Sequence, residues 1–197
     1  MSKLALEDIA DLRAYERERD EFRTHVIALK KRRRVSVGPV ATLLFENRDT
    51  IRFQIQEMAR AEKLLTDDAI QLELDVYNPL IPEPGHLCAT LFLELTSDAA
   101  LREWLPRLVG IEHHVAIALP DESLVRGRPS DEDEDRLTRP DTTAAVHYLR
   151  FAFTPEQVAA FDRGPVRVIV DHPEYGYQVT LDAVQHAALV PDVLDLT

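Results

Sequence analysis

Two segments in the first third of the chain repeat their apolar residues at alternating spacings of three and four positions, which places each set on one helix face. Between them, Gly38 and Pro39 favour a helix end, because glycine suits a C-terminal cap and proline lacks the backbone donor. The pattern predicts an antiparallel helical hairpin whose first helix covers about 6–34. The two stripes are Leu12, Tyr15, Arg19, Phe22, Val26, Leu29 and Arg33, and Leu44, Arg48, Ile51, Ile55, Met58, Glu62 and Leu65.

Each stripe contains charged residues at positions that a hairpin would bury. A charge in such a seam is costly unless an opposite charge neutralises it. With a turn near Gly38, Arg19 faces the part of the second helix that holds Glu57 and Glu62. We therefore expect an ion pair between Arg19 and one of these carboxylates, which either fixes the register of the hairpin or lines a ligand site.

The rest of the chain predicts an α+β unit. A helix over 67–77 and a proline-rich connector over 78–85 precede segments in the order strand, helix, strand, strand, helix, strand, which is the βαββαβ order of a ferredoxin-like sheet. We expect two regions, 1–85 and 86–197, with a mobile acidic loop at about 120–143. The predicted strands are 86–95, 115–119, 144–153, 166–172 and 175–181, and the predicted helices are 98–108, 155–161 and 181–189.

Composition excludes several classes of protein. Cys88 is the single cysteine, so no disulfide framework or four-cysteine metal site is possible, and we expect a soluble protein of the cytoplasm. No stretch of the sequence contains the roughly 20 consecutive apolar residues that a membrane helix needs.

The distribution of charge argues against nucleic-acid binding. The net charge is −12, and residues 66–197 carry nine cations and twenty-four anions. Such a surface repels nucleic acid, and the cations at 30–34 are interpreted as the C-terminal end of a helix.

Candidate site residues come from two groups. His147 and His172 lie on the buried faces of predicted strands and could meet to bind a metal ion, although single core histidines are more often structural. The polar segment 45–50, together with Arg17, Arg19 and Arg23 of the first helix, could instead bind a small anion or form a salt-bridge network. The candidate binding residues are Arg17, Arg19, Arg23, Glu46, Asn47, Glu57, Glu62 and Tyr175.

Many short motifs in this sequence resemble the bacterial family known as domain of unknown function 3501, and the similarity covers nearly the whole chain. The family has no assigned activity, so the resemblance implies no catalytic residues. Its members are encoded beside rubrerythrin-like and iron–sulfur oxidoreductase-like proteins, which implies a part in peroxide or redox handling. The motifs are Tyr15–Arg19, Phe22-Arg23, Lys30–Arg33, Phe45–Arg48, Thr50, Gln54–Met58, Arg60, Glu62, Tyr77-Asn78, Thr90, Val146–Phe151 and His172-Pro173.

The sequence contains no nucleotide-binding glycine loop, nucleophile elbow or zinc-protease motif. The leading hypothesis is therefore a non-enzymatic accessory or interaction protein, with a protein partner or a second copy of itself and no predicted cofactor. The alternative is a metal-binding or small-anion-binding protein, possibly an oxidoreductase, that uses His147, His172 and the hairpin carboxylates.

Overall fold

The structure, a computed structural model, describes residues 2–129, 138–139 and 141–194. Within these residues, the six α-helices are α1 (Leu12–Arg33), α2 (Arg48–Glu62), α3 (Asp67–Tyr77), α4 (Asp98–Arg107), α5 (Pro155–Arg163) and α6 (Ala183–Val193). Its strands are β1 (Arg34–Val37), β2 (Ala41–Phe45), β3 (His86–Leu93), β4 (Val115–Ala118), β5 (Leu124–Arg128), β6 (Thr138–Arg139), β7 (Thr142–Thr143), β8 (Val146–Ala152), β9 (Arg167–His172) and β10 (Tyr175–Thr180). None of the helices in these ranges combines the length and hydropathy of a membrane-spanning helix.

Eight of the strands form one antiparallel sheet, in the order β1-β2-β3-β8-β5-β4-β9-β10, and β6 pairs with β7. The α+β class is confirmed, whereas the sheet does not have a clear ferredoxin-like arrangement. Residues 124–128, which the sequence analysis assigned to the acidic loop, form β5 between β8 and β4 instead. Only Val125 and Gly127 of this strand are buried, so it gives little apolar signal. The acidic run 130–135 lies outside the described residues.

The prediction of a helical hairpin is correct for the pairing of the two helices. It is wrong for the segment between them, which forms two strands. Residues 34–45 form the β1–β2 hairpin, and Leu44 belongs to β2. Alternating burial of Val35 and Val37 is typical of a strand. The turn passes so close to β10 that a Cβ atom at Gly38, where φ is +77°, would lie 2.5 Å from the Tyr177 ring.

Helices α1 and α2 nevertheless pack side by side in antiparallel directions. Contacts between polar side chains show the antiparallel direction, because the residue numbers rise along α1 as they fall along α2. The contacts are Glu16–Arg60, Arg19–Glu57 and His25–Asp49. Asn47 caps α2 by accepting a hydrogen bond from the Thr50 amide at 3.0 Å. The heptad stripes therefore predicted the packing of these helices correctly.

The sheet curls around the main core. Inward-facing residues such as Leu43, Leu91 and Phe151 pack with Phe161 of α5 and Leu189 of α6. The edge strands approach each other, because the buried Tyr175 hydroxyl of β10 donates to the Val37 carbonyl at 2.7 Å. The result is a nearly closed barrel.

A smaller core lies between the start of the chain, α2 and α3. It contains Leu4, Ile51, Ile55, Leu74 and Ile81. Residues on both sides of the predicted boundary at 85 contribute to the main sheet, because β2 pairs with β3.

Candidate functional site

A pocket of about 240 Å³ lies on the outer face of strands β2, β3 and β8. The strand register builds its floor in two rows. Leu44, Thr90 and Tyr148 lie side by side in one row, and Phe92 and Val146 lie side by side in the next. The walls come from α1, α2, the end of α3 and the short 3-10 helix Asn78–Leu80 that follows it. The wall residues are Lys30, Thr50, Ile51, Gln54, Tyr77 and Leu80.

Glu46, directly after β2, lines this pocket and is only 6% exposed. Its backbone amide donates to the Cys88 carbonyl at 2.8 Å, which fixes the residue beside β3. Its carboxylate accepts one hydrogen bond, from the Thr90 hydroxyl at 2.6 Å. Arg33 lies close by but donates to the Glu46 carbonyl oxygen, at 3.0 Å. Within the described residues, the carboxylate has no cationic partner.

Three other polar side chains line the same pocket without a hydrogen bond or ion pair to any described residue: Lys30, Gln54 and Tyr77. The Lys30 ammonium lies 5.5 Å from the centroid of the Phe53 ring, a cation–π distance. The pocket therefore presents an acid, a base, an amide and a phenol to whatever occupies it. Apolar side chains from Leu44, Ile51, Leu80, Phe92 and Val146 complete the lining.

The predicted binding residues on α1 and α2 form an ion-pair network. Arg19 binds both carboxylate oxygens of Glu57, at 2.8 and 2.9 Å, which confirms the expected ion pair. The buried Tyr15 hydroxyl also donates to Glu57, at 2.8 Å. This hydrogen-bonding lowers the pKa of Glu57, with Arg19 as the largest cause.

The remaining predicted binding residues lie elsewhere. Arg17, Arg23 and Glu62 are exposed on their helices, and none of these three lines the pocket that holds Glu46. Asn47 serves as the cap of α2. Tyr175 accepts hydrogen bonds from the Val40 and Ala41 amides, each at 3.0 Å, so it joins the two sheet edges. Burial raises the pKa of this tyrosine.

The two predicted metal ligands contact different parts of the chain. His172 accepts a hydrogen bond from the Glu174 amide on Nδ1 and lies 3.1 Å from the Val109 carbonyl through Nε2. Because a carbonyl only accepts, Nε2 carries a proton and both ring nitrogens are used.

His147 Nε2 lies 3.0 Å from the Ala144 carbonyl, and its Nδ1 lies 3.9 Å from the Glu112 carboxylate. The described part of the chain contains no group of three or more histidine, cysteine, aspartate or glutamate side chains placed to hold a metal ion. The metal site therefore stays a prediction.

Cys88 lies in β3, close to Glu46 in space but buried. Burial raises the pKa of its thiol to about 11. Thiol reactivity depends on the thiolate form, so Cys88 is an unreactive core residue at neutral pH.

Of the pocket residues, the sequence analysis selected only Glu46. Lys30 was interpreted as part of a basic helix end, and Gln54, Tyr77 and Thr90 appeared only in the family motifs. Thr90 offered one usable signal, because it is a polar residue within an otherwise apolar strand.

Comparison with known proteins places nearly the whole chain in one family. The family model described as protein of unknown function (DUF3501) matches residues 3–193. The crystal structure of a novel protein of unknown function from Burkholderia pseudomallei K96243 is similar to this chain, with 38% sequence identity and a TM-score of 0.89. The match covers 98% of this chain and 100% of the other. A search of curated proteins gave no match. The chain belongs to the family of proteins of unknown function DUF3501.

Proposed function

We propose that this protein is a non-enzymatic accessory protein that binds a small polar molecule, and that a cationic group of this ligand binds beside Glu46. The observation that carries the proposal is the buried Glu46 carboxylate, which has Thr90 as its hydrogen-bond partner and no cationic partner among the described residues.

The cost of burying a charge supports this assignment. Removing a carboxylate from water costs several kcal/mol of free energy unless a cation and hydrogen bonds compensate for the lost hydration. One threonine hydroxyl supplies only a small part of that compensation. A ligand ammonium or guanidinium group would supply the missing charge and the missing donors.

The chemistry of the lining supports binding without catalysis. None of the described residues that line the pocket is a histidine, cysteine or serine, side chains that commonly serve as nucleophile or general base. The Cys88 thiol nearby stays protonated at neutral pH, because burial raises its pKa to about 11.

The alternative of an anion site on α1 has less support. Arg19 is already engaged by Glu57, and Arg17 and Arg23 are exposed. The link to peroxide or redox handling stays a prediction from the family resemblance.

Ligand-observed NMR and thermal shift measurements on the full chain test the proposal. The probes are a set of small amines, guanidines, carboxylates and amino acids. We expect binding only by compounds that carry a cationic group, and loss of that binding in the Glu46→Gln variant.

Glu94→Gln is the matched control, because Glu94 also accepts a threonine hydrogen bond, from Thr42 at 2.7 Å, but lies outside the pocket lining. It should bind like the wild type. Equal binding to Glu46→Gln and wild type, or no binding by any cationic probe, would overturn the proposal.

A further inference from the structure

We infer that the ligand is a small zwitterion of the α-amino acid type, whose ammonium group binds Glu46 and whose carboxylate binds Lys30. This inference rests on the proposed function and adds the identity of the second charge. It also assigns a role to Lys30, Gln54 and Tyr77.

Lys30 and Glu46 are opposite charges that line one pocket without forming an ion pair with each other. Lys30 has no ion pair or hydrogen bond to any other described residue either. Lys30 projects from the last turn of α1, and Glu46 is fixed by β2 and β3. A ligand with one charge of each sign would give each of these residues an oppositely charged partner, and the net charge of the pocket would stay at zero.

Gln54 and Tyr77 fit the same ligand. The Gln54 amide and the Tyr77 hydroxyl have no hydrogen-bond partner in the described part of the chain, and both line the pocket. An amide and a phenol each provide a donor for a carboxylate and an acceptor for an ammonium group. The pocket therefore offers neutral polar groups in addition to the two charges.

Size and apolar lining restrict the ligand further. A volume of about 240 Å³ is below the roughly 300–1,000 Å³ that is typical of pockets for drug-sized ligands. It suits one amino acid better than a peptide or a nucleotide. Leu44, Phe92 and Val146 provide an apolar surface for an aliphatic or aromatic side chain.

Calorimetric titration of the full chain tests the inference. The twenty common amino acids are first ranked by thermal shift. The best of them is then titrated beside its decarboxylated amine and its deaminated acid, against wild type, Lys30→Met, Glu46→Gln and the control Lys31→Met, which changes the neighbouring exposed lysine.

We expect wild type and Lys31→Met to bind the amino acid at least about tenfold more tightly than the amine, because the charge-assisted contact to Lys30 adds affinity. Lys30→Met should weaken amino-acid binding by at least about tenfold, because the charge-assisted contact to the ligand carboxylate is lost. Glu46→Gln should bind neither compound.

Two results would separate the inference from the proposed function. If the amine binds wild type as tightly as the amino acid and Lys30→Met changes nothing, the zwitterion inference is wrong and the proposed function stands. If neither compound binds wild type, or Glu46→Gln binds both normally, the proposed function fails as well.

Discussion

Arg33 at the end of α1 forms a buried ion pair with Asp192 of α6, and both side chains are 2% exposed. Arg33 Nε also donates to the Phe45 carbonyl, and Nη1 donates to the Ala188 carbonyl, each at 2.8 Å. One guanidinium thus joins α1, the end of β2 and α6, next to the backbone of Glu46.

Arg33→Ala should therefore destabilise the protein severely. Removing one partner of a buried pair leaves the other charge uncompensated, at a cost of about 3–5 kcal/mol. Arg32→Ala, at the adjacent exposed position, should change the free energy of unfolding by less than about 0.5 kcal/mol. Urea unfolding monitored by circular dichroism measures both values. Similar losses for the two variants would contradict this role of Arg33.

Glu57→Ala should destabilise the packing of α1 against α2. The change leaves the buried Tyr15 hydroxyl without its acceptor and removes the partner of Arg19, and a buried unsatisfied donor costs about 1–3 kcal/mol. The control Glu62→Ala changes an exposed carboxylate on the same helix and should be nearly neutral. For the same reason, Arg19→Ala should lower the melting temperature more than Arg32→Ala. Chemical denaturation measures the free energies of unfolding of the two glutamate variants, and thermal denaturation measures the melting temperatures of the two arginine variants.

The contacts of Glu57 with Arg19 and Tyr15 also predict that the stability of the protein depends on pH. Hydrogen bonding, mainly to Arg19, lowers the pKa of Glu57 in the folded protein below its ordinary value of 4.5. Its contribution is therefore fully present above pH 4.5 and is lost as the pH falls through the lowered pKa. The difference in unfolding free energy between wild type and Glu57→Ala should be constant from pH 7 to 5 and shrink below pH 4.5. A difference that grows on acidification would show that the network has another origin.

Glu46 and Glu94 provide a comparison of two carboxylates that each accept a threonine hydrogen bond. Glu94 also pairs with Arg34, whereas Glu46 has no cationic partner among the described residues. In the absence of ligand, Glu46→Gln should leave the free energy of unfolding unchanged or raise it by about 1 kcal/mol, because it removes an uncompensated buried charge. Glu94→Gln should lower it by at most about 1 kcal/mol, because that ion pair is exposed. A clear loss of stability in Glu46→Gln would show that the carboxylate is structural.

The heptad spacing correctly predicted the features of the fold that depend on the local sequence pattern. It placed α1 and α2 against each other, and counting from the turn placed Arg19 opposite Glu57 or Glu62, of which Glu57 is the partner. It failed between the two stripes, because a short apolar run such as Ala41–Phe45 fits either a helix or a strand. The partner of Arg33 could not be predicted from a local pattern, because Asp192 lies 159 residues later in the chain.

The pocket depends even more on long-range register. Thr90 lies beside Leu44 and Tyr148 only because β3 pairs with β2 on one side and β8 on the other. Nothing local to Lys30 indicates that it shares a cavity with Glu46. A basic residue near a helix end is equally well explained by the helix dipole.

A crystal structure of the full chain soaked with small cationic, anionic and zwitterionic fragments tests the central claim most directly. The account predicts bound density in the pocket on the outer face of β2, β3 and β8, with a fragment nitrogen within hydrogen-bonding distance of the Glu46 carboxylate. Fragments that bind only at other places, or an anion seated beside Glu46, would contradict it.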